Sequence, residues 1–298
     1  MGRKKKGIPI HGWLIIDKPL EISSNNVVGK ARWLTKAQKV GHGGTLDPLA
    51  SGILPLAFGE ATKTVSYVMD GTKTYRFEVT WGETRSTDDA EGEVTDTSTA
   101  RPTRAEIEAA LPAFIGAIEQ IPPKYSALKI DGQRAYKLAR EDKDIEMTAR
   151  TVQIDDLKLI DCPDSDRAIF EVQCGKGTYV RSLGRDLGNK LGCLGYISML
   201  RRTKVGPFDE NCAISLDSLE QVVHSEALFE SLLAIETVLD DISALALNEE
   251  ETQKIRNGMG FKTDLPDTET LRLMHNDKLV ALAKVEDGLV RPFRVFNY

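Results

Sequence analysis

Apolar and polar residues change their period several times along this chain, and each change marks an element. Gly12 to Asp17 is an unbroken apolar run that predicts a buried strand, stopped at Lys18-Pro19 because proline brings no N–H to a ladder. Ser23 and Ser24 offer an N-cap to Asn25–Lys36, where Val27, Val28, Ala31 and Leu34 recur at helical spacing and Lys30 and Lys36 fall on other faces. From Val40 to Gly52 the sequence GHGGTLDPLASG is dense in glycine and proline and must be a shaped loop. The apolar run Ile53 to Phe58 follows. GEATKTVSYVMDG then predicts a helix closed by Gly71, and Thr74 to Trp81 alternates as a strand. Residues 83–99 are acidic and poor in apolar groups, which predicts an exposed loop or ribbon outside the core. Helical periodicity resumes from Thr103 to Phe114.

The second half predicts strands at Thr151–Ile160 and Ala168–Cys174, a helix at Val180–Leu191, a strand at Tyr196–Val205 and acidic helices over 215–240. Strands and helices do not alternate regularly, so the fold class is α+β, a mixed β-sheet with flanking helices, rather than a doubly wound parallel sheet. From about Ile242 the pattern changes to short strands at Leu271–Met274, Leu279–Val285 and Val290–Phe296, divided by the turn pairs Asn276-Asp277 and Asp287-Gly288. The expected organisation is therefore a large domain, 1–241, with an insertion around 83–150, and a small C-terminal β-rich domain, 242–298.

With 298 residues, 41% of them hydrophobic, the chain is long enough to bury a core. Its apolar runs fall short of the roughly 20 residues that span a bilayer. The N-terminal run is broken by His11, Asp17 and Lys18 and lacks a small-residue cleavage site, so a cytoplasmic protein is expected. Cys162, Cys174, Cys193 and Cys212 are widely spaced and read as core filling in a reducing compartment; His11, His224 and His275 stand apart, so no metal is expected. A net charge of −6 argues against nucleic acid until its distribution is considered. Residues 1–76 carry 12 Lys and Arg against 5 Asp and Glu, whereas residues 209–270 carry 3 against 15. The average hides a basic N-terminal part. Between Lys124 and Lys143 there are 6 basic residues with Tyr125 and Tyr136 interleaved, a pattern that suits a segment lying along RNA.

The most unusual chemistry lies at Asp47, between Leu46 and Pro48 in the glycine-rich loop. Glycines let a backbone approach a ligand, and Pro48 holds its neighbour extended, so this carboxylate is aimed; the ordinary alternative is an Asx turn bonding nearby N–H groups. The blocks GWLIIDKP, GHGGTLDPLASGILPLAFGEATK, KTYRF, PPKYSALKIDGQRAY, GKGTYVRSLGRDLG and SMLRRTKVGPF, in that order across most of residues 12–208, resemble the TruB family of tRNA pseudouridine synthases. The resemblance implies a pseudouridine synthase catalytic domain followed by a small PUA-like RNA-binding domain. It further implies isomerisation of the T-loop uridine of tRNA by base flipping, with Asp47 as the catalytic carboxylate. Arg181 matches the arginine that the family pairs with this aspartate, although a helix-surface pair with Asp186 is the ordinary alternative. Tyr75 matches a tyrosine stacked on the target base, Leu200 an apolar pocket wall, and His42 the histidine inserted into the T loop. Lys18, Lys63, Arg201, Arg202 and Lys204 are candidate phosphate partners. No cofactor is implied, because the reaction changes neither redox state nor composition. The implied partner is the T arm of tRNA, with no membrane, no obligatory protein partner and a monomeric chain. The rival readings are a tRNA-folding chaperone without essential catalysis and a guide-RNA-dependent synthase.

Overall fold

The apolar run near the start of the chain becomes a strand buried on both faces, and this sets the architecture. The computed structural model describes residues 7–126, 128–130, 133–135, 138, 141 and 147–298. Tyr136, Lys137, Arg140 and Lys143 of the basic run, and the cations at positions 3–6, lie outside them. Strand β1 (Gly12–Lys18) sends Leu14 and Ile16 into the main core and Trp13 and Ile15 into a second core on the other face. A continuous apolar strand is what a sheet covered on both sides requires. Helix α1 (Ser24–Thr35) is capped by the Ser23 hydroxyl, which accepts the Asn26 N–H, and it buries Val27 and Ala31. Strands β2 (Val40–His42) and β3 (Ala50–Phe58) flank the glycine-rich loop. The helix expected next is split into a 3-10 turn, Gly59–Lys63, and α2 (Val65–Asp70), because Thr64 between them takes φ −108 and ψ 6, and its buried hydroxyl donates to the Ala61 carbonyl.

Strand β4 (Lys73–Trp81) enters the sheet, whereas β5 (Glu83–Arg85) and β6 (Val94–Thr97) pair as a separate ribbon. Helix α3 (Arg104–Ala110) tightens to a 3-10 turn at Leu111–Phe114, where Pro112 withholds an N–H. Strand β7 (Gly116–Gln120) follows, and the two-residue strands β8 (Lys129–Ile130) and β9 (Gln133–Arg134) pair with each other. Strands β10 (Arg150–Asp161) and β11 (Arg167–Cys174) form a hairpin. Helix α4 (Val180–Leu191) ends at Gly192, in the left-handed conformation that glycine adopts without strain. Strands β12 (Gly195–Val205) and β13 (Phe208–Asp209) complete the sheet.

Its order is β1-β3-β12-β4-β11-β10-β7, with β2 beside β3 and β13 beside β12. Every pair is antiparallel except β3 with β12, which sets Leu200 opposite Ala50 and Arg202 opposite Gly52. This parallel pair brings the loop before β3 alongside the middle of β12.

After helices α5 (Leu216–Val222) and α6 (Ala227–Glu230), a second sheet forms in the order β14-β16-β17-β18-β15. It comprises β14 (Ala244–Ala246), β15 (Phe261–Lys262), β16 (Thr268–His275), β17 (Lys278–Glu286) and β18 (Leu289–Val295), with helix α7 (Glu249–Arg256) packed beside it. The expected turn pairs join β16 to β17 and β17 to β18, and all four residues take positive φ, as tight hairpin turns demand. Leu279, Leu282 and Phe296 of this unit pack with Trp13, Val205 and Phe208, so the second core belongs to both sheets. Among the described residues no helix is long and apolar enough to cross a membrane.

Candidate active site

Asp47 is held by the backbone around it rather than by its own side chain. The buried Ser24 hydroxyl accepts the Leu46 N–H at 2.8 Å and donates to the Leu46 carbonyl at 2.9 Å, clamping the residue before it. Pro48, the residue after it, offers its carbonyl to the Glu21 N–H and to Lys18 Nζ. Arg202, buried in the sheet, donates to the carbonyls of Gly44, Thr45 and Ile53. Two glycines make this possible. A Cβ on Gly52 would lie 2.2 Å from the Arg202 carbonyl, and one on Gly43 would lie 2.8 Å from Val68.

The carboxylate so aimed meets Arg181 Nη2 at 2.9 Å. Asp47 is 39% exposed, whereas Arg181 is buried at the start of α4. The same guanidinium faces Asp89 at 3.4 Å and donates to the carbonyls of Thr87 and Tyr125. Arg181 is thus fixed from behind and presents its remaining edge to Asp47. Asp186, the alternative partner, pairs with Arg185, which also reaches Asp88 at 2.9 Å and the Ile121 carbonyl at 2.8 Å.

Asp47 and Arg181 line a cavity of about 300 Å³. Tyr75 and Leu200 lie on its walls, along with Lys73, Tyr179 and Arg202. Burial pushes the Tyr75 phenol up, and Arg202 opposes only part of that, so the ring carries its proton at neutral pH. Burial also lowers the Lys73 amine to about 8. His42 lies on β2, outside the lining of this cavity, with Nδ1 accepting the Gly44 N–H at 3.3 Å. Burial, with Arg202 nearby, lowers its imidazole below the ordinary value and favours the neutral ring.

Two expected phosphate partners, Lys18 and Arg202, are corrected by the structure. Lys18 is fully buried and its amine donates to the carbonyls of Pro19, Ile22 and Pro48; burial lowers it to about 8. Arg202 is likewise buried, its three bonds all to backbone. Both cations brace the Asp47 loop from beneath. Lys63 is held by Glu60 and by the Val295 carbonyl, so it fastens the C-terminal sheet. Arg201 is bidentate to Asp17 and also contacts Glu210. Lys204 is exposed.

The acidic run 83–99 is corrected too. The β5–β6 ribbon is outside the sheet, but Asp89 is only 2% exposed and Asp88 faces Arg185. Burial raises both carboxyls; at Asp89 the Thr87 hydroxyl, the Arg181 guanidinium and the Glu91 N–H oppose it, and at Asp88 Arg185 and Arg181 do. Asp89, Ser24 and Lys73 carried no signal as site residues: two are short polar side chains in polar runs, and their burial depends on partners far away in sequence.

The fold of the whole chain, sheet and C-terminal unit together, recurs in solved structures. The fold matches a crystal structure of a Cbf5–Nop10–Gar1 complex at TM-score 0.75, with 22% identity, covering 99% of this chain and 91% of that one. It matches a structure of an H/ACA RNP bound to a substrate RNA containing 2′-deoxyuridine at TM-score 0.73, with 21% identity, covering 100% and 92%. The model of the N-terminal domain of TruB family pseudouridylate synthases matches residues 32–180, and that of the tRNA pseudouridylate synthase B C-terminal domain matches 181–240. tRNA pseudouridine synthase B of Caulobacter vibrioides is 49% identical over 308 residues, covering 100% of this chain and 99% of the relative. The synthase of the same name from Rhodospirillum rubrum is 50% identical over 307 residues, covering 100% of both. This chain belongs to the TruB family of pseudouridylate synthases.

Proposed function

We propose that this chain converts the T-loop uridine of tRNA to pseudouridine, with Asp47 as the catalytic carboxylate. The observation that carries the reading is the 2.9 Å contact between Asp47 and a buried, prepositioned Arg181 at the wall of a cavity of about 300 Å³. The reaction breaks the N1–C1′ bond, turns the uracil and joins C5 to C1′; the C5 proton is lost and N1 regains one, so nothing is consumed. Such chemistry asks for a carboxylate fixed at the wall of the pocket, and the buried Arg181 guanidinium holds it there. Asp47 can attack C1′ or C6, or accept a ribose proton, and all three routes start from the same anion.

The surrounding residues support the same reading. Tyr75 and Leu200 offer an aromatic and an apolar wall between which an extruded base can lie, and the reach of the pocket requires the uridine to leave its stack. A neutral His42 beside the pocket suits stacking in the space the base vacates. The T arm of tRNA is the substrate, with no guide RNA and no partner protein, and residues 1–241 act as the catalytic domain with 242–298 as a PUA-like companion.

The test is to map pseudouridine in tRNA incubated with the pure protein alone. The wild type is expected to modify the T-loop uridine. Asp47→Asn keeps the shape of the side chain but removes its charge, and should abolish turnover while tRNA binding persists. Near-normal turnover by Asp47→Asn would refute the assignment.

A further inference from the structure

Trp33 lies on α1, far from the cavity, and nothing in the site described so far uses it. The three tryptophans differ sharply: Trp13 and Trp81 are buried at 0% and 2% exposure, whereas Trp33 is 76% exposed. A long helical side chain leans back over position i−4. That position is Gly29, where an added Cβ would meet nothing within 4 Å, so an indole face is left uncovered in mid-helix. A helix-interior glycine is less stable than alanine, and at Gly29 no close neighbour stands where a side chain would go.

The surroundings of the indole are cationic. Arg32, Lys36 and Lys39 are all exposed, and among the described residues none has a carboxylate partner within ion-pair distance. Gly7 joins Arg32, Trp33 and Lys36 around an open hollow, tied there by the Ile8 N–H to the Lys36 carbonyl. Arg32 is steadied by the carbonyls of Ala37 and Gln38. A flat aromatic face among cations that no carboxylate neutralises is complementary to single-stranded nucleic acid, whose bases stack while its phosphates meet the charges.

The position also fits an RNA contact that leaves the pocket. Ser24, at the start of α1, clamps the Asp47 loop, and Trp33 lies nine residues further along, roughly 14 Å down the axis. The chain then returns through Lys36, Lys39 and His42 to the loop.

We propose that Trp33 and its cations form a second RNA-binding surface, on which an unpaired base of the tRNA outside the T stem-loop stacks. The inference rests on tRNA being the substrate. Its occupant is RNA rather than a second copy of the chain, because like-charged patches repel.

Intrinsic fluorescence tests it directly, since Trp33 is the exposed indole. Full-length tRNA is expected to quench the red-shifted emission, a T stem-loop hairpin is expected not to, and Trp33→Phe should remove the quenched component. The titration needs no turnover, so it fails separately from the proposed isomerase activity. In steady-state assays, Trp33→Ala should lower kcat/KM for tRNA relative to the hairpin by at least about fivefold, the lower end of one lost base stack. Gly29→Glu, which sets a carboxylate against the open face, should act in the same direction. Unchanged emission at saturating tRNA, equal quenching by the hairpin, or a tRNA-to-hairpin ratio unaltered in Trp33→Ala overturns the proposal. So does a dimer in sedimentation that Trp33→Ala dissociates.

Discussion

Arg181 meets Asp47 only because Asp89 and two backbone carbonyls hold its guanidinium from behind. Replacing it with methionine fills similar space but leaves Asp89 buried without a cation. Breaking a buried pair by removing one partner costs about 3–5 kcal/mol. Arg181→Met should therefore shift the urea midpoint markedly as well as stop turnover, and a midpoint equal to that of the wild type would show that Asp89 does not depend on it. At this scale legibility was uneven for a physical reason. Asp47 announces itself because glycines and a proline shape its own loop, a local signal. Asp89, in STDDAEGE, looks like solvated charge, since its burial comes from Arg181, 92 residues further on. Lys18 and Arg202 misled in the same way: a cation buried beneath a loop and one on a phosphate have the same letter, and only the carbonyls around them tell the two apart.

Strands with an unbroken apolar run or a regular apolar alternation are the easiest to read. β1, β10, β11 and β12 appear within a residue or two of their expected limits, and α4 runs over Val180–Leu191 as its period and Gly192 indicate. The segment after β3 has the period of one helix, and nothing local shows that it breaks at Thr64. Pairing was not legible at all, since a strand's sequence does not name its neighbour. The crossing of β3 and β12 is the most demanding such contact, with Gly52 at φ +101 directly against the Arg202 backbone. Gly52→Ala combines a steric overlap with an unfavourable φ, each worth about 1–3 kcal/mol. A loss on the order of 3 kcal/mol is expected in chemical denaturation, together with reduced turnover as Arg202 is pushed from the loop. Wild-type stability in that variant would mean the two strands are not in this register.

For the whole molecule, the core shared by the two sheets decides how separable they are. The C-terminal unit was legible as a β-rich companion, but its contribution to the other domain's interior was not. Cutting the chain at 241 removes Leu279, Leu282 and Phe296 and uncovers Trp13, Val205 and Phe208. An exposed patch of that kind binds hydrophobic dyes and aggregates. The truncated protein should do both, and should also lose the bond from Lys63 to Val295; a soluble fragment with a wild-type unfolding midpoint would show that the large domain stands alone. The parallel pair has another consequence, for the protein as it is made. Ala50 waits for Leu200, 150 positions later. At about 5–20 residues per second that is roughly 8–30 s of translation. A ribosome-bound nascent chain therefore displays its basic leading segment to passing RNA well before any pocket exists to act on it, and competence arrives only once the eleventh-hour strand has emerged from the exit tunnel.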